Sequence, residues 1–453
     1  MTSSHLPEAR RNEEEEEEDA SRQNRFVPVA SLEPPYHTVT MSATSKSCIE
    51  DVRASRLVRM GQYALVTLLS ALMIMATLFS ALMRQPAERE PLQQARRLGY
   101  PSCVVDEPDD KPIICMYEQS RISHYFRVSK IPAHICRHVV FCCVQTHNRK
   151  FTVEDTQQAM DFGSLLGRHM PSARGYLGIG GRDVDYDALN LELQSGRAVT
   201  VFIERCITLS LNAKLGGGIA YFIPDFSRFR PRVSFEALVM DTAVALATKE
   251  DQRVIVVLPE SAGDVVRYFH PGIFRFPNIY TVVLSHEMDP RYRSPPVAAC
   301  ATPYSAPTLG RSLEAAYRDM KAHYRNYWQT VEPGLLFSFS LAWYQFLLPY
   351  PNASDGAPAR YVRALPYRDI CHNFGHRAYE THVDPVTDCV VVRDGQQLYS
   401  GFGLSSGEKF LRKYRRIRGI AVFDIDMDDF DGKCEHYNHP LLQGLADELA
   451  EDP

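Results

Sequence analysis

One stretch near the C-terminus decides the fold: Gly419-Ile-Ala-Val-Phe-Asp-Ile-Asp-Met-Asp-Asp-Phe-Asp-Gly-Lys-Cys434. It begins with an uncharged apolar run, 420–423, which predicts a strand buried on both faces. Five aspartates follow the run, and they are Asp424, Asp426, Asp428, Asp429 and Asp431. Like charges at a strand end repel one another unless partners or solvent compensate them. Three interpretations compete: a catalytic carboxylate set, a calcium loop, or a structural strand ending.

Seven more uncharged segments, rich in β-branched residues, precede this one and predict further buried strands. They are 113–117, 139–144, 175–179, 218–223, 254–258, 280–285 and 335–339. Helical stretches lie between several of them. Eight such strands alternating with helices predict an α/β fold, a (β/α)8 TIM barrel with a small insertion between strands 7 and 8. The alternative is an open doubly wound sheet, but no phosphate-binding glycine pattern follows the first strand.

The N-terminal part has a different character. Residues 1–61 contain the acidic run 13–19 and few apolar residues, which predicts a disordered cytoplasmic tail. Residues 62–84 form an apolar stretch long enough to cross a bilayer as a signal-anchor helix. A polar stem is expected at 85–102, the barrel at 103–440, and a C-terminal tail at 441–453.

Cysteines and a sequon suggest where the barrel resides. Ten of the 11 cysteines follow the apolar stretch, and Asn352 begins an Asn-Ala-Ser glycosylation sequon. Both features favour an oxidising compartment. The sequence therefore predicts a single-pass type II membrane protein whose barrel is luminal or extracellular.

Composition narrows the classes of partner. The formal net charge is -5, so a nucleic-acid partner, which usually requires a basic surface, is not expected. His286, His372 and His376 show no zinc-site spacing. The sequence thus predicts no metal and no cofactor, and the partners expected are the membrane and a glycan or protein ligand.

The chain resembles the family-eighteen, chitinase-type glycosyl hydrolases over 113–434. Leu365-Pro-Tyr-Arg-Asp-Ile-Cys371 resembles one family stretch, the set Ser405, Ser406, Lys409 and Tyr414 resembles a family helix, and the stretch 419–434 resembles the last barrel strand. The segments 115–117 and 136–141 are similar to the family's N-terminal strands. The resemblance implies two disulfides, Cys115–Cys136 and Cys371–Cys434. The remaining cysteines have no predicted pairing, and they are Cys103, Cys142, Cys143, Cys206, Cys300 and Cys389.

The resemblance also implies a catalytic motif on the fourth strand, Asp-x-x-Asp-x-Asp-x-Glu. In that family the Glu protonates the leaving oxygen, and the neighbouring Asp steadies the acetamido group of the substrate. The matching positions here hold no carboxylate, and they are Gly217, Ala220, Phe222 and Pro224. Asp225 is the nearest acid, and it has no acidic neighbour to tune its pKa.

Sugar-stacking tryptophans are implied at three places in the family, which hold Ser120, Arg182 and Phe423 here. Only 2 residues of the chain are Trp, so few large platforms are available. The ligand-groove candidates are Tyr117, Arg182, Tyr221, Glu287, Trp343, Phe423 and Asp428.

The aspartate cluster itself fits neither chemical interpretation. A displaced catalytic motif through Asp426, Asp429 and Asp431 fails because Lys433 takes the position of the acid. A calcium loop from Asp424 to Glu435 fails because Asp429 stands where that loop needs glycine. The structural interpretation is favoured.

The leading hypothesis is a membrane-anchored chitinase-like pseudoenzyme that acts by binding, and not an enzyme. One alternative is a lectin for chitin or N-acetylglucosamine glycans. Another is an active hydrolase whose acid has moved, for instance to Glu287 or Glu260.

Overall fold

The structure is a computed structural model of the 453-residue chain. It describes residues 111–451, except 119–125, 226–227, 229, 231–233, 248–251, 260–261, 288–290, 292–296, 307–310, 352, 354–356, 375–379 and 435–437. All of them belong to one compact unit, Val104–Pro453.

Eight parallel strands close into a barrel, as predicted. In chain order they are β1 (Ile113–Glu118), β2 (His138–Val144), β5 (Arg174–Gly180), β6 (Gly218–Phe222), β7 (Arg253–Val257), β8 (Ile279–Val283), β9 (Leu335–Ser340) and β15 (Gly419–Phe423). A short hairpin, β3 (Thr146–His147) and β4 (Lys150–Phe151), follows the second barrel strand. The alternative of an open sheet is wrong, because β15 pairs with β1 on one side and with β9 on the other.

Each barrel strand is buried on both faces, which explains its uncharged sequence. In β15, Ala421 and Phe423 point into the barrel interior, whereas Ile420 and Val422 pack in the layer between barrel and helices. The interior is therefore a packed core, as in other barrels of this size.

Helices surround the barrel. They are α1 (Val153–His169), α2 (Tyr186–Glu192), α3 (Gly196–Asn212), α4 (Phe235–Leu246), α5 (Ala262–Tyr268), α6 (Leu313–His323), α7 (Trp328–Val331), α8 (Tyr367–Phe374), α9 (Leu404–Lys413) and α10 (Pro440–Ala450). Five of them begin after a side chain that accepts a backbone N–H of the first turn. Those residues are Thr152, Asp185, Ser195, Ser234 and Ser312.

The insertion between the seventh and eighth barrel strands is an antiparallel sheet. Its strands are β10 (Trp343–Leu347), β11 (Arg360–Leu365), β12 (Glu380–Val383), β13 (Val390–Asp394) and β14 (Gln397–Gly401), in the order β11-β10-β14-β13-β12. A disulfide between Cys300 and Cys389 joins it to the segment after the sixth barrel strand. The insertion is thus covalently tied to the barrel.

The predicted architecture needs a correction at the N-terminus. No helix within the described ranges has both the length and the apolar character that crossing a membrane requires. The described residues thus show the barrel, but they give no support for a transmembrane helix as part of the fold. The predicted span 62–84, tail 1–61 and stem 85–102 lie outside the described residues, as do Cys103, Ser120, Glu260, Asn352, His376 and Glu435.

The C-terminal segment 441–453, predicted as a tail, contains most of the last helix. In α10, Leu442 and Leu445 are fully buried and belong to the main hydrophobic core. The helix packs against α9. Leucines at this spacing form the apolar face of an amphipathic helix, so residues 440–450 belong to the folded unit.

Four disulfides form among the described residues. Cys115–Cys136 and Cys371–Cys434 are the two pairs that the resemblance implied. Cys300–Cys389 and the adjacent pair Cys142–Cys143 are additional. Cys206 is a free, buried thiol, and burial is the main cause that raises its pKa.

A buried histidine lies where the barrel strands begin. The ring of His138 is hydrogen-bonded through Nδ1 to the Tyr176 hydroxyl at 2.8 Å, and it packs edge-on against Tyr280 at 5.4 Å. Burial, followed by the positive charges of four arginines, lowers the pKa of His138 to about 3. His138 is therefore neutral in the folded protein at physiological pH.

This predicts an acid-side loss of stability. In the unfolded chain the His138 imidazole becomes protonated below about pH 6.5, whereas in the folded protein it becomes protonated only near pH 3. The free energy of unfolding therefore falls as the pH decreases between those two values. The total is on the order of 5 kcal/mol, from a difference of about 3.5 pKa units at about 1.4 kcal/mol each. Denaturant unfolding of His138→Gln between pH 7 and 4 should show a variant whose stability deficit shrinks as the pH falls. A deficit independent of pH would contradict this origin.

Candidate functional site

The end of the fourth barrel strand, where the resemblance places the catalytic acid, carries no acidic side chain on the strand itself. Ala220 and Phe222 are buried in the barrel interior, and Gly217 lies just before the strand. Pro224 follows the strand and is half-buried. The backbone N–H of Asp225 donates to the Tyr186 hydroxyl at 2.9 Å. The inward-facing positions therefore present methyl, phenyl and pyrrolidine groups, none of which can donate a proton.

Aromatic side chains fill the barrel interior at this end, which we call the C-terminal mouth. The ring of Phe423 lies 5.6 Å from that of Phe222 and 4.5 Å from that of His286. All three side chains are buried, and His286 is further fixed by a 2.8 Å hydrogen bond between its Nδ1 and the Ser338 hydroxyl. The family's stacking position on the eighth strand thus holds a core residue and not an exposed platform.

A polar network borders these aromatic rings. The Arg182 guanidinium lies 3.3 Å from Asp424 and 3.4 Å from Glu118, and the Ser340 hydroxyl donates to Asp424. The Arg182 side chain is 21% exposed, whereas that of Asp424 is fully buried. An ion pair at low exposure is screened little by solvent. Arg182 is thus the candidate residue that both reaches the mouth and retains contact with solvent.

Three of the remaining aspartates of the opening stretch have separate partners. Asp428 accepts backbone N–H groups of Asp429, Leu441 and Leu442. Asp429 accepts those of Lys433 and Cys434, and Asp431 pairs with Lys130 and Arg368. Across the described residues, no group of three or more His, Cys, Asp or Glu side chains is arranged to hold a metal ion. The arrangement supports the structural interpretation of the cluster.

Asp428 anchors the last helix to the end of the eighth strand, because it accepts the N–H groups of Leu441 and Leu442 in the first turn of α10. Burial is the main cause that raises the pKa of Asp428 to about 7, although the three N–H groups oppose it. The carboxyl therefore titrates near neutral pH.

Most of the other groove candidates lie elsewhere. Tyr117 packs on Phe162 in the layer outside the barrel, and the Tyr221 hydroxyl bonds Thr242 on α4 at 2.8 Å. Both side chains point away from the barrel interior, toward the surrounding helices. The expectation that they line a ligand groove therefore needs correction. Glu287 is half-buried, and its carbonyl oxygen accepts the Tyr344 hydroxyl. Among the candidates, Phe423 belongs to the aromatic packing at the C-terminal mouth and Arg182 to the polar network that borders it.

Trp343 lies in the inserted sheet, not at the mouth, and is stacked with Tyr367 at 6.0 Å. Both line a cavity of about 450 Å³ between this sheet and α8, α9 and α10. The other lining residues are mostly apolar, and they include Ile370, Phe374, Val392, Phe402 and Leu441. The sequence did not indicate this cavity, because its walls come from segments almost 100 residues apart.

Two features of the mouth were missed by reasoning from the sequence. The adjacent Cys142–Cys143 disulfide lies at the end of the second barrel strand, and a side chain at Gly181 would come within 3.1 Å of Cys143. The spacing of the histidines alone does not single out His286. Its place directly after a barrel strand was the available signal, since barrel sites are built from strand ends.

We predict that Asp428→Asn lowers the free energy of unfolding by about 1–3 kcal/mol at pH 5. The NH₂ group of the asparagine cannot accept a hydrogen bond, so a buried backbone N–H that Asp428 accepts would lose its partner. The pKa of Asp428 is higher in the folded than in the unfolded state, so the wild type loses stability as pH rises from about 4 to 7. The deficit of the variant should narrow accordingly between pH 5 and 8 in denaturant unfolding. Asp431→Asn, at a half-exposed ion pair, is the control and should change stability little. A deficit that grows with pH would refute this account.

Comparisons with known proteins agree with this geometry at the level of the fold. No family model matches the chain, and no curated protein matches it significantly. A Group IV chitinase of Ostrinia furnacalis aligns with a TM-score of 0.60 and 16% identity, over 76% of this chain and 100% of its own.

Two further structural neighbours are not described simply as chitinases. Human YKL-39, described as a pseudo-chitinase with retained chitooligosaccharide binding, aligns with a TM-score of 0.62 and 18% identity, over 75% of this chain and 100% of its own. The chitinase-like agglutinin RobpsCRA of Robinia pseudoacacia gives 0.59 and 16%, over 74% and 99%. Identities this low show the fold alone. The barrel with its inserted sheet is the fold of family-eighteen chitinases and chitinase-like proteins.

Proposed function

We propose that this chain is a chitinase-like protein that binds its ligand without hydrolysing it. The observation that carries the proposal is Pro224, which follows the fourth barrel strand where the resemblance implies the proton-donating Glu. Proton transfer to a leaving group needs a titratable side chain within hydrogen-bond reach. Proline has none, and the interior positions before it are Ala220 and Phe222.

The packing of the C-terminal mouth supports the same proposal. Substrate-assisted hydrolysis requires the sugar to bind close to the strand ends. In this chain the ring of Phe423 packs there against Phe222 and His286. A relocated acid receives less support. The backbone N–H of Glu287 donates to the carbonyl oxygen of Ala301, and its carbonyl oxygen accepts the Tyr344 hydroxyl. Glu287 also lies after the sixth barrel strand, whereas the family's acid lies at the end of the fourth.

We expect the purified chain to release no product from N-acetylglucosamine oligomers. Pro224→Glu alone should not create activity, because the neighbouring aspartates are also absent. Mass spectrometry of the tetrasaccharide after incubation would check the wild type and the Pro224→Glu variant, with an active chitinase as the positive control. Wild-type turnover that disappears in Asp225→Ala would overturn the proposal.

A glycan is the ligand class best supported, which makes a lectin the second candidate. Two neighbours are described as binding chitooligosaccharides or as an agglutinin. In this chain the partly exposed Arg182, held by Glu118 and Asp424, offers oriented donors at the C-terminal mouth. Fixed polar groups of this kind give orientation and specificity in ligand sites.

The lectin candidate predicts retention on a chitin column and elution by free chitooligosaccharide. Arg182→Gln should weaken the affinity for chitin about tenfold. Such a change corresponds to about 1.4 kcal/mol, which is the order of magnitude expected for the loss of one charged hydrogen-bonding group. Arg197→Gln, at an exposed position on α3, is the matched control and should behave as wild type. Absence of retention, or equal effects of the two substitutions, would eliminate this candidate and leave a protein ligand.

We also propose that the barrel works in an oxidising compartment, luminal or extracellular. The four disulfides of the barrel unit support this placement, since such bonds persist where thiols are not kept reduced.

A further inference from the structure

The cavity between the inserted sheet and the last three helices is separate from the C-terminal mouth. Its described walls come from β10, β12 and β13, from α8, and from the segments where α9 and α10 begin. They include neither Arg182 nor the aromatic residues Phe222, Phe423 and His286. Its volume of about 450 Å³ lies within the range of small-molecule sites. The cavity is therefore a candidate for a second binding site.

The cavity lies between two hydrophobic clusters. Trp343, Ile370 and Val392 belong to a cluster formed by the inserted sheet and α8. Phe402 and Leu441 belong to the main core of the barrel unit. Side chains of both clusters line the cavity. A ligand there would contact both clusters without displacing either one.

Two constraints hold the walls in place. The disulfide Cys371–Cys434 joins α8 to the segment that precedes α10. A Cβ atom at Gly401 on β14 would come within 2.1 Å of the Trp343 indole, so glycine lets this ring lie close against the neighbouring strand. Walls that are fixed before a ligand arrives lower the ordering cost of binding.

The walls are mostly apolar. Among the lining residues that the structure describes, none has a charged side chain, and those whose side chains carry a hydroxyl or N–H group are Trp343, Tyr367 and Thr381. A charged ligand would lose its hydration there without gaining a partner of opposite charge. A sugar would likewise bury more hydroxyl groups than these walls can bond. The cavity thus favours an uncharged, mostly apolar ligand.

Aromatic rings and one hydrogen-bond donor narrow the ligand class further. Trp343 and Tyr367 are stacked with an angle of 21° between their planes, and Phe374 and Phe402 also line the cavity. Such rings pack well against another flat ring system. Trp343 is 2% exposed, and its buried Nε1–H has no acceptor in the described part of the chain. A buried donor without an acceptor is unfavourable, so a ligand oxygen that accepts this N–H would strengthen binding.

The cavity is accessible from solvent. Thr381 is exposed, and Tyr367, Phe374 and Leu404 are half-buried, although all four residues line the cavity. A small molecule can therefore enter without separation of the sheet from the helices.

We propose that this cavity binds an uncharged, ring-containing small molecule that carries one hydrogen-bond acceptor, such as a carbonyl oxygen. The ring system packs against Trp343 and Tyr367, and the oxygen accepts the Nε1–H of Trp343. The site is independent of the proposed glycan site, because the two share no described residue.

The test measures binding of fluorenone and of fluorene to the full-length chain by equilibrium dialysis. Both probes are flat, uncharged and similar in shape, but only fluorenone has a carbonyl oxygen. Two variants fill the cavity, Val390→Phe from β13 and Leu404→Phe from α9. Val362→Phe, at an exposed position on β11 outside the described walls, is the matched control. Trp343→Phe keeps an aromatic ring and removes the N–H.

We expect wild type and Val362→Phe to bind both probes. Each filling variant should bind them at least about tenfold more weakly, because the added phenyl group occupies the volume of the ligand. In Trp343→Phe the ratio of fluorenone affinity to fluorene affinity should fall about fivefold, as expected for the loss of one neutral hydrogen bond. A purely structural role of Trp343 would weaken both probes alike and leave this ratio unchanged.

Thermal unfolding shows which variants keep the fold, and the two filling variants lie on different elements, so loss of one leaves the other as a test. The proposal is overturned if wild type binds neither probe, or if a folded filling variant binds both probes as wild type does. It is equally overturned if Val362→Phe weakens binding as much as the filling variants, or if Trp343→Phe leaves the ratio unchanged. Tighter binding of a linear ketone with as many carbon atoms as fluorenone would exclude the proposed ring system.

Discussion

Closure of the eight-stranded barrel is the constraint on which the rest of the structure depends. Once β15 pairs with both β1 and β9, every strand has two partners and two buried faces. Side chains must then fill the interior as tightly as any other protein core. That requirement explains Ala421 and Phe423 on the inside, Ile420 and Val422 on the outside, and the absence of charge between 420 and 423.

The same close packing extends to the C-terminal end of the barrel, where enzymes with this architecture have their active sites. A carboxylate at the position of Phe222 would face a ring of Phe423 instead of a substrate. Burying it there would cost several kcal/mol unless it were paired. A charged network borders this packing, in which Arg182 pairs with Asp424 and Glu118. This packing and pairing are the observations that support the proposal of binding without hydrolysis.

The charges of the molecule are divided between the two barrel ends. Carboxylates follow the eighth strand at one end and are bound by backbone N–H groups, lysine and arginine, whereas arginines precede the strands at the other. Helix C-termini favour cations at the end of the barrel where the strands begin, so the fold itself supports this division. A net charge of -5 conceals it, because the sum over the chain says nothing about where charges meet.

The sequence alone determined the barrel, since uncharged strands repeated along the chain require a parallel sheet buried on both faces, and the resemblance supplied two of the disulfides. The proposed loss of the acid also rests on the sequence, because Pro224 is visible without coordinates. Tertiary structure decided which way alternating side chains point, and so moved Tyr117 and Tyr221 away from the ligand groove. It alone gave Asp428, Asp429 and Asp431 their separate partners, and it joined Cys142 to Cys143 and Cys300 to Cys389. Those features depend on contacts between residues far apart in the chain, which local pattern and spacing do not encode.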